Sequence, residues 1–389
     1  MTDMKTERHA FAERLVEADV VRSPQWRAAV EAVPREAFLS TGVFLQEDGG
    51  WWRPATAAET DPAEWAEIVY SNDTLTTQLD GHLTADVTPG VVRGTPTSSS
   101  TNPDTVLSMI ESLEVEDGDQ VLEIGTGTGY SSALMCHRLG EDNVTTIEVD
   151  PEVAGRADVA LEEVGFSTWT ITGDGLLGHP RRAPYDRVIA TCAVRRIPYA
   201  WVRQTKPGGI ILSTVGSWPY GTGLAKVVVG EDGTARGSII GRSSFMQARA
   251  QAVVPVDGDF SARTAYAEDE RPTKVSPSLL NDWVPAFIAQ LSAPGVQLVR
   301  AVTSDGKPLL YLFDPDRESF AEFITGDDGA SVVRQGGPVP LWGDIEAPLV
   351  AWEAAGRPGI DAVQLRVSEE AHEYWVEGHP DLRWEHRIE

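Results

Sequence analysis

The chain contains 389 residues, of which 41% are hydrophobic and 23% charged, a composition typical of a globular protein with one or two domains. Its 59 acidic residues outnumber its 32 basic ones, and the net charge of −27 argues against nucleic acid as a partner, because phosphates would be repelled. The two cysteines, Cys136 and Cys192, form neither a disulfide framework nor a metal-binding spacing, so no metal is expected.

The N-terminus carries no apolar signal core, and no apolar run is long enough to cross a membrane. We therefore expect a cytoplasmic protein without membrane contact. The sequence does not determine the oligomeric state, and a monomer is the working expectation.

The first 85 residues are predicted to form a helical N-terminal region. Apolar residues recur at roughly helical spacing over residues 8–39, and Ser23-Pro24 has the residue types of a helix cap followed by a first-turn proline. Residues 40–66, rich in tryptophan, glycine and acids, are predicted to be a long excursion between regular elements.

A run of five hydroxyl side chains occupies residues 97–101, within a segment dominated by glycine, proline, threonine and serine. Composition predicts a flexible polar loop over residues 86–103, and the apolar pattern that follows predicts a helix over residues 104–113. One serine or asparagine would suffice to cap that helix, so the hydroxyl run is longer than turn formation requires.

The strongest motif of the chain lies at residues 121–130. A short apolar strand, Val121–Ile124, leads directly into Gly125-Thr126-Gly127-Thr128-Gly129, and a helix is predicted over residues 131–139. Glycines at these positions provide turn geometry and let a ligand approach the backbone. On its own, the pattern fits a dinucleotide site, an S-adenosylmethionine (SAM) site or a tight turn.

Acidic residues follow the next two strands and narrow these alternatives. Glu148 closes the strand Val144–Glu148, about 20 residues beyond the glycines, where a carboxylate can bind both ribose hydroxyls. Asp174 follows the strand predicted over residues 168–172 and can accept a hydrogen bond from an adenine amino group. A fourth strand ends near Thr191. Acids after successive strands favour SAM over NAD.

Strands and helices alternate as far as residue 215, which is typical of a parallel sheet covered on both faces by helices. Two later strands, near 224–229 and 238–240, are predicted to pair antiparallel at the far edge of that sheet. We predict four parts: an N-terminal cap region over 1–85, a SAM-binding catalytic domain over 86–250, a linker over 251–278 and a C-terminal α+β domain over 279–389.

The order of motifs resembles that of the protein-L-isoaspartate O-methyltransferases over roughly residues 8–250. The matching pieces are Val33-Pro34-Arg35-Glu36-Ala37-Phe38, Tyr70 with Asp73, residues 121–130, Ile147-Glu148, Gly173-Asp174-Gly175, Ala183-Pro184-Tyr185-Asp186 with Ile189 and Thr191, Ile197-Pro198, and residues 204–209 followed by Val215-Gly216. Glycine turns suit any methyltransferase, whereas the Pro-Arg-Glu-x-Phe, Ala-Pro-Tyr-Asp and Lys-Pro-Gly-Gly combination points to this family.

The resemblance implies an α/β fold of the Rossmann-like class I SAM-dependent methyltransferase type, with a mostly parallel seven-stranded sheet; the C-terminal α+β domain lies beyond it. It also implies SAM as the cofactor and S-adenosylhomocysteine as the product. The residues predicted to bind the cofactor are Glu123, Gly125, Thr126, Gly127, Gly129, Glu148, Val149, Gly173, Asp174, Gly175 and Thr191.

The resemblance further implies where the substrate lies. Members of the family carry Gln-Thr-Ile-Ser-x-Pro before the first long helix, and that serine sits beside the methyl-transfer centre. Counted back from Gly125, the serine falls on Thr101 and the proline on Pro103, while serines at 98–100 replace Gln, Thr and Ile. The residues predicted to contact the substrate carboxylate are Ser99, Ser100 and Thr101.

Three functions remain open from the sequence. Long relatives with serine-rich loops resemble enzymes of ribosomally made, modified peptides, as in lanthipeptide, lasso peptide and graspetide pathways. The leading hypothesis is therefore methylation of an ordinary Asp in such a peptide, whose ester closes to an aspartimide and can open to isoaspartate. The second hypothesis is repair of isoaspartate in damaged proteins, and the third is a SAM-binding scaffold with a degenerate pocket. Both enzyme hypotheses require a peptide or protein partner, which residues 279–389 would recognise.

Overall fold

The computed structural model describes residues 3–218, 220–256, 258–302, 308–326 and 329–388. Its α-helices are α1 Met4–Glu17, α2 Pro24–Ala32, α3 Pro62–Val69, α4 Pro103–Ser112, α5 Tyr130–Leu139, α6 Pro151–Glu163, α7 Tyr199–Gln204, α8 Phe260–Thr264, α9 Trp283–Ser292 and α10 Leu341–Ala354. Its β-strands are β1 Val43–Glu47, β2 Trp51–Ala55, β3 Leu75–Leu79, β4 Pro96–Ser100, β5 Val121–Ile124, β6 Val144–Glu148, β7 Trp169–Thr172, β8 Tyr185–Val194, β9 Thr205–Val215, β10 Gly223–Val229, β11 Ala235–Arg242, β12 Asp269–Pro272, β13 Gln297–Val302, β14 Pro308–Asp314, β15 Ser319–Thr325, β16 Ser331–Gly336, β17 Val363–Val367, β18 Ala371–Val376 and β19 His379–Arg387.

The chain divides by its internal contacts into two compact units. The first unit comprises Met1–Thr191 and Ala200–Leu212, and the second comprises Cys192–Tyr199 and Ser213–Glu389. No helix within the described ranges is long and apolar enough to cross a membrane.

A parallel sheet forms the centre of the first unit. β5 pairs in parallel with β6 on one side and β8 on the other, which gives the strand order β9-β8-β5-β6-β7. All four residues of β5 are buried, as expected for a central parallel strand covered on both faces. The predicted α/β class with a Rossmann-like parallel sheet is confirmed.

Helix starts fix the turns that follow these strands. α5 begins directly after Gly129, whose φ of 92° is a left-handed conformation that glycine adopts without strain. α6 begins after Asp150, whose side chain accepts hydrogen bonds from the backbone N–H groups of Glu152 and Val153, and Pro151 occupies its first turn. The glycine loop therefore ends at Gly129 and β6 ends at Glu148, and the two lie side by side.

A second, antiparallel sheet in the first unit differs from the sequence prediction. Its strand order is β2-β1-β3-β4, so the predicted excursion over 40–66 contains the hairpin β1–β2, and the predicted polar loop over 86–103 contains β4. Local composition suggested loops because glycine and proline, frequent in both segments, are depleted in strands. Pairing of β4 with the fully buried β3 outweighs that preference.

The second unit contains two antiparallel arrangements of strands. β10, β11, β17, β18 and β19 pair in that order, and β12, β16, β15, β14 and β13 form a five-stranded sheet. One face of the five-stranded sheet packs against α9 and α10 through a buried core that includes Leu312, Phe323, Trp342 and Ile345.

Residues 251–278, predicted to be a linker, contain a short helix and a strand in the structure. α8 lies within this segment, and β12 pairs antiparallel with β16 over four residues. A segment rich in proline and aspartate has the composition of a linker, but four paired residues are enough to make it an edge strand. β10 and β11, assigned from the sequence to the catalytic domain, group by contacts with the second unit.

Candidate functional site

The glycine loop between β5 and α5 depends on conformations that side chains disfavour. Gly125, Gly127 and Gly129 have φ values of 96°, 55° and 92°. A Cβ added to Gly125 would lie 3.0 Å from the hydroxyl oxygen of Thr191, and one on Gly129 would lie 3.3 Å from the Cβ of Ala157. The loop therefore needs glycine both for its dihedral angles and for its close packing.

Two threonines predicted to bind the cofactor stabilise this loop through hydrogen bonds within the protein. The Thr191 hydroxyl donates to the carbonyl oxygens of Gly125, at 2.5 Å, and Ile124, at 3.1 Å. The side chain of Thr126 is buried and its hydroxyl shares a hydrogen bond of 2.7 Å with the hydroxyl of Thr146. Both side chains thus engage protein groups and shape the loop.

Glu123, also predicted to bind the cofactor, lies fully buried beneath the loop. The hydroxyls of Ser131, Ser132 and Thr146 donate to its carboxylate, from Ser131 at 2.5 Å and from Thr146 at 2.8 Å. Burial raises the pKa of Glu123, and the three hydroxyl donors act in the opposite direction. Its side chain supports the loop and the first turn of α5 from the interior.

Glu148 occupies the end of β6 with both carboxylate oxygens already oriented. Oε2 accepts from the backbone N–H of Gly127 at 3.0 Å, and Oε1 accepts from that of Asp150 at 3.1 Å. Each carboxylate oxygen has a second lone pair, so the side chain can still accept from two ribose hydroxyls. Val149, the next residue, is 44% exposed and can pack against a planar ligand.

The turn after β7 carries the remaining residues predicted to bind the cofactor. Asp174 is exposed, and its Oδ1 accepts from the backbone N–H of Leu176 at 2.9 Å. Gly175 packs so closely that a Cβ would lie 2.5 Å from a methyl carbon of Ile124, whereas a Cβ on Gly173 would meet nothing within 4 Å. Open space therefore lies next to Gly173, at the same sheet edge as Glu148.

The hydroxyl strand, β4, presents its side chains alternately to two environments. Ser98 and Ser100 are buried; Ser98 accepts from the Thr77 hydroxyl at 3.3 Å, and Ser100 accepts from the Arg35 guanidinium at 3.4 Å. Ser100, predicted to contact the substrate, is thus directed to a buried arginine.

Ser99 and Thr101 are half-buried, and within the described ranges their hydroxyls have no hydrogen-bond partner. Asn102 caps α4, since its side chain accepts from the backbone N–H of Thr105 at 2.9 Å. Asn102 is therefore the single capping residue that the helix needs, and Thr101 is not required for it.

The hydroxyl strand and the glycine loop meet in one cleft of the first unit. The carbonyl oxygen of Ser99 lies 3.5 Å from the position that a Cβ on Gly127 would take. The cleft is lined by residues of segment 37–41, β3, the segment after it, β4, the glycine loop and α6: Ala37, Phe38, Ser40, Thr41, Thr77, Leu83, Ser98, Gly127, Thr128, Val153, Arg156, Ala157 and Ala160. Of the hydroxyl run only Ser98 is among them; Ser99, Ser100 and Thr101, predicted to contact the substrate, are not.

Sequence reasoning gave no role to several residues that build this site. Arg35 lies within the quoted Pro-Arg-Glu-x-Phe motif, so a signal for it existed, but its burial and partners depend on tertiary contacts. Ser131, Ser132 and Thr146 carried no signal beyond being hydroxyl residues. The described residues contain no group of His, Cys, Asp and Glu that could hold a metal ion.

The residues at this sheet edge fit a nucleoside cofactor. Glu148 offers acceptors for ribose hydroxyls, Asp174 an acceptor for an adenine amino group, and the space next to Gly173 is open. The left-handed glycines carry no side chain, so a ligand can approach the backbone of the loop closely.

Comparison with known proteins gives the family of the chain. The family model described as Protein-L-isoaspartate(D-aspartate) O-methyltransferase matches residues 84–247. The protein-L-isoaspartate O-methyltransferase of Ignicoccus hospitalis is 40% identical over 154 residues, which are 39% of this chain and 72% of the relative. The chain belongs to the protein-L-isoaspartate O-methyltransferase family. The similarly named protein of Anaeromyxobacter dehalogenans is 41% identical over 133 residues, 34% of this chain and 63% of that relative.

Family membership confirms the predicted enzyme class, a protein carboxyl O-methyltransferase that uses SAM. A solved structure named protein-L-isoaspartate O-methyltransferase covers 93% of this chain and 96% of its own, with a TM-score of 0.54 and 21% identity. That identity establishes similarity of fold alone. The fold thus has a counterpart over nearly the whole chain, whereas sequence similarity to curated relatives covers about two fifths of it.

Proposed function

We propose that the protein methylates a carboxylate of aspartyl origin within a peptide chain, and that isoaspartate is its substrate. The observation that carries this proposal is a pair of hydroxyls without a hydrogen-bond partner among the described residues, that of Ser99 in β4 and that of Thr101 just after it; the carbonyl oxygen of Ser99 lies beside Gly127. A hydroxyl donates a hydrogen bond to a carboxylate without neutralising its charge, which preserves the nucleophile.

The chemistry asks little of the protein beyond position. Bound SAM supplies a methyl group on a sulfonium sulfur, and an aspartyl carboxylate needs no base because it is ionised at neutral pH. Glu148, Asp174 and the glycine loop would hold the cofactor, and Ser99 and Thr101 would orient the carboxylate. Positioning of this kind supplies about 7–11 kcal/mol in well-oriented systems.

Isoaspartate is favoured as the substrate because the relatives are named for that activity and because Ser100 is hydrogen-bonded inside the protein. Ser100 stands where the family has an apolar isoleucine, which suggested from the sequence a more polar substrate pocket. Its hydroxyl is bonded to the buried Arg35, so the added polarity is taken up inside the protein. The surface offered to a substrate therefore departs less from the family than the sequence suggests.

A second candidate is methylation of an ordinary Asp in a constrained, modified peptide. It is favoured by the serines that replace Gln, Thr and Ile at 98–100, because a changed strand beside the reaction centre suits a changed substrate. After methylation, the backbone nitrogen of the next residue attacks the side-chain ester carbonyl. A C–N bond forms, methanol leaves with the amide proton, and a five-membered succinimide closes without further catalysis.

One matched pair of peptides tests these proposals. A peptide with a single isoaspartate and its twin with Asp at the same position, each in linear and cyclised form, are incubated with SAM and analysed by mass spectrometry. We expect a gain of one methyl group on the isoaspartyl peptides only. Loss of water from the cyclised Asp peptide would support aspartimide formation instead. No change in any peptide, with SAM binding intact by calorimetry, would contradict both and support a scaffold.

A further inference from the structure

Arg35 is a fully buried arginine whose hydrogen-bond partners are all neutral groups, although the charge of Asp73 also acts on it. Its Nη1 donates to the carbonyl oxygens of Val69 and Ser71 at 2.8 and 3.0 Å. Its Nη2 donates to the carbonyl oxygen of Asp73 and to the Ser100 hydroxyl, both at 3.4 Å. Burial lowers the pKa of Arg35 to about 10, so the guanidinium remains protonated at neutral pH.

The same cluster contains two buried polar atoms that lack a partner among the described residues, Nε of Arg35 and the hydroxyl of Tyr130. The Arg35 guanidinium carbon lies 5.9 Å from the centre of the Tyr130 ring, within range of a cation–π contact. A buried charge with incomplete hydrogen bonding costs stability, and an apolar residue of similar volume often replaces such a group without loss. Stability alone therefore does not account for Arg35.

The contacts of Arg35 join the two sides of the proposed site. Ser100 belongs to the hydroxyl strand, next to Ser99 and Thr101, and Tyr130 is the first residue of α5, directly after the glycine loop. The short 3-10 helix Arg35–Leu39 reinforces this connection through Phe38, whose ring centre lies 5.8 Å from that of Tyr130. Phe38 also lies 3.4 Å from the position that a Cβ on Gly129 would take.

We propose that Arg35 is a positioning residue that sets the distance between the hydroxyl strand and the glycine loop, and so aligns the substrate carboxylate with the methyl group. The proposal rests on the proposed function, since it assigns the hydroxyl strand to the substrate. A planar guanidinium reaches three carbonyls and one hydroxyl at once, whereas a lysine ammonium is a single point on a flexible stem. Arg35→Lys keeps the charge but cannot keep this geometry.

Amide hydrogen exchange tests the positioning role without any substrate. We expect Arg35→Lys to increase exchange at residues 97–101, while exchange in α5 stays as in the wild type. Arg8→Lys is the matched control: Arg8 is also a largely buried arginine of the N-terminal region, but it donates to the Glu31 carbonyl at 2.8 Å and pairs with Glu36. It should leave residues 97–101 unchanged. Unaltered exchange there in Arg35→Lys would overturn the proposal.

Kinetics separates positioning from a purely structural role. Misplacement by 1 Å can lower a rate by about 100-fold, so Arg35→Lys should lower kcat by roughly that factor on the isoaspartyl peptide. SAM affinity and KM should change less than about threefold, because positioning acts on the transition state. A kcat near the wild-type value, measured below the melting temperature, would overturn the proposal.

Ser100→Ala keeps the test decisive if Arg35→Lys does not fold. It removes the strand end of the contact and should raise exchange at 97–101 and lower kcat, but by less than Arg35→Lys. In the double variant the two effects on kcat should fall short of their product, because both act on one contact. Independent, fully multiplying effects would contradict the proposal. Failure of the wild type to methylate any peptide would instead contradict the proposed function. The exchange results would still test whether Arg35 positions the hydroxyl strand.

Discussion

At the scale of single residues, two acids of the cofactor region have different surroundings. Glu123 lies within the short buried strand β5 and Glu148 ends β6, and the sequence assigned both to the cofactor. In the structure, three hydroxyls surround Glu123 beneath the loop, whereas backbone N–H groups orient Glu148 at the sheet edge. The pattern of acids after successive strands indicated a site at the carboxyl ends of the parallel strands. It could not distinguish the two roles, because the hydroxyls that decide them come from residues distant in sequence.

Glu148→Ala should weaken SAM binding by about 1–3 kcal/mol, or roughly 5- to 150-fold, because ribose hydroxyls lose their acceptors. The same change also releases the Gly127 N–H. Isothermal titration calorimetry measures the affinity. Glu152→Ala is the matched control, since this exposed acid of α6 removes the same charge nearby without touching the loop. Equal affinities for Glu148→Ala and the wild type would remove Glu148 from the cofactor site.

At the scale of elements, β4 is a strand that the amino-acid composition of its segment did not predict. A run of hydroxyl residues has no hydrophobic alternation, so the sequence predicted a loop. The alternation exists in burial: Ser98 and Ser100 are buried, whereas Ser99 between them, and Thr101 just after the strand, are half-buried. Only the pairing with β3 reveals it, and that partner lies about twenty residues earlier in the chain.

Two threonine-to-valine changes of equal size test the function of β4. Thr101→Val should lower kcat and leave the melting temperature unchanged, because its hydroxyl has no hydrogen-bond partner to lose among the residues that the structure describes. Thr97→Val should do the reverse, since that hydroxyl donates to Gln78 at 2.8 Å and accepts from the Gly81 N–H at 3.1 Å. The expected loss in folding free energy for Thr97→Val is about 0.5–1.5 kcal/mol, because its partners are not fully buried and water can replace the hydroxyl.

Melting curves and single-turnover methylation measure the two effects separately, with Ser99→Ala as a second test of the half-buried side. If Thr101→Val and Ser99→Ala methylate at the wild-type rate, the substrate carboxylate is held by other residues and β4 serves only the fold.

At the scale of the whole molecule, the alternation of strands and helices predicted the parallel sheet, but the boundaries predicted after it differ from the contact-based units. β11 pairs with β17, whose residues lie more than a hundred positions later, from Ala235 with Val367 to Ser238 with Gln364. Pairing between distant segments leaves no local periodicity in the sequence. The predicted boundary at residue 250 therefore followed composition, which changes there, whereas the contacts cross it.

Truncation after residue 255 should yield an aggregating protein. The cut removes β17 from the edge of β11, and an unpaired edge invites association. It also removes Gln290, whose side chain accepts from the backbone N–H of Ser217 at 2.8 Å and of Trp218 at 3.2 Å. Size-exclusion chromatography and thermal unfolding of the fragment, compared with the full chain, measure the effect. A monomeric fragment that binds SAM would instead support the boundary at 250 and a separate recognition domain.

All five residues of the hydroxyl run carry the same functional group, so the run itself does not determine which of them face inward. Shifting a strand by one residue exchanges its two faces, which in most strands buries polar groups and exposes apolar ones. Within residues 97–101 such a shift would replace a hydroxyl by a hydroxyl on both faces. The alignment of β4 is therefore marked at its ends, by Pro96, which lacks an N–H, and by Asn102 and Pro103, which start α4. An exchange of Ser for Thr inside this run keeps a hydroxyl at that position, whereas an insertion or deletion would shift the run against these ends.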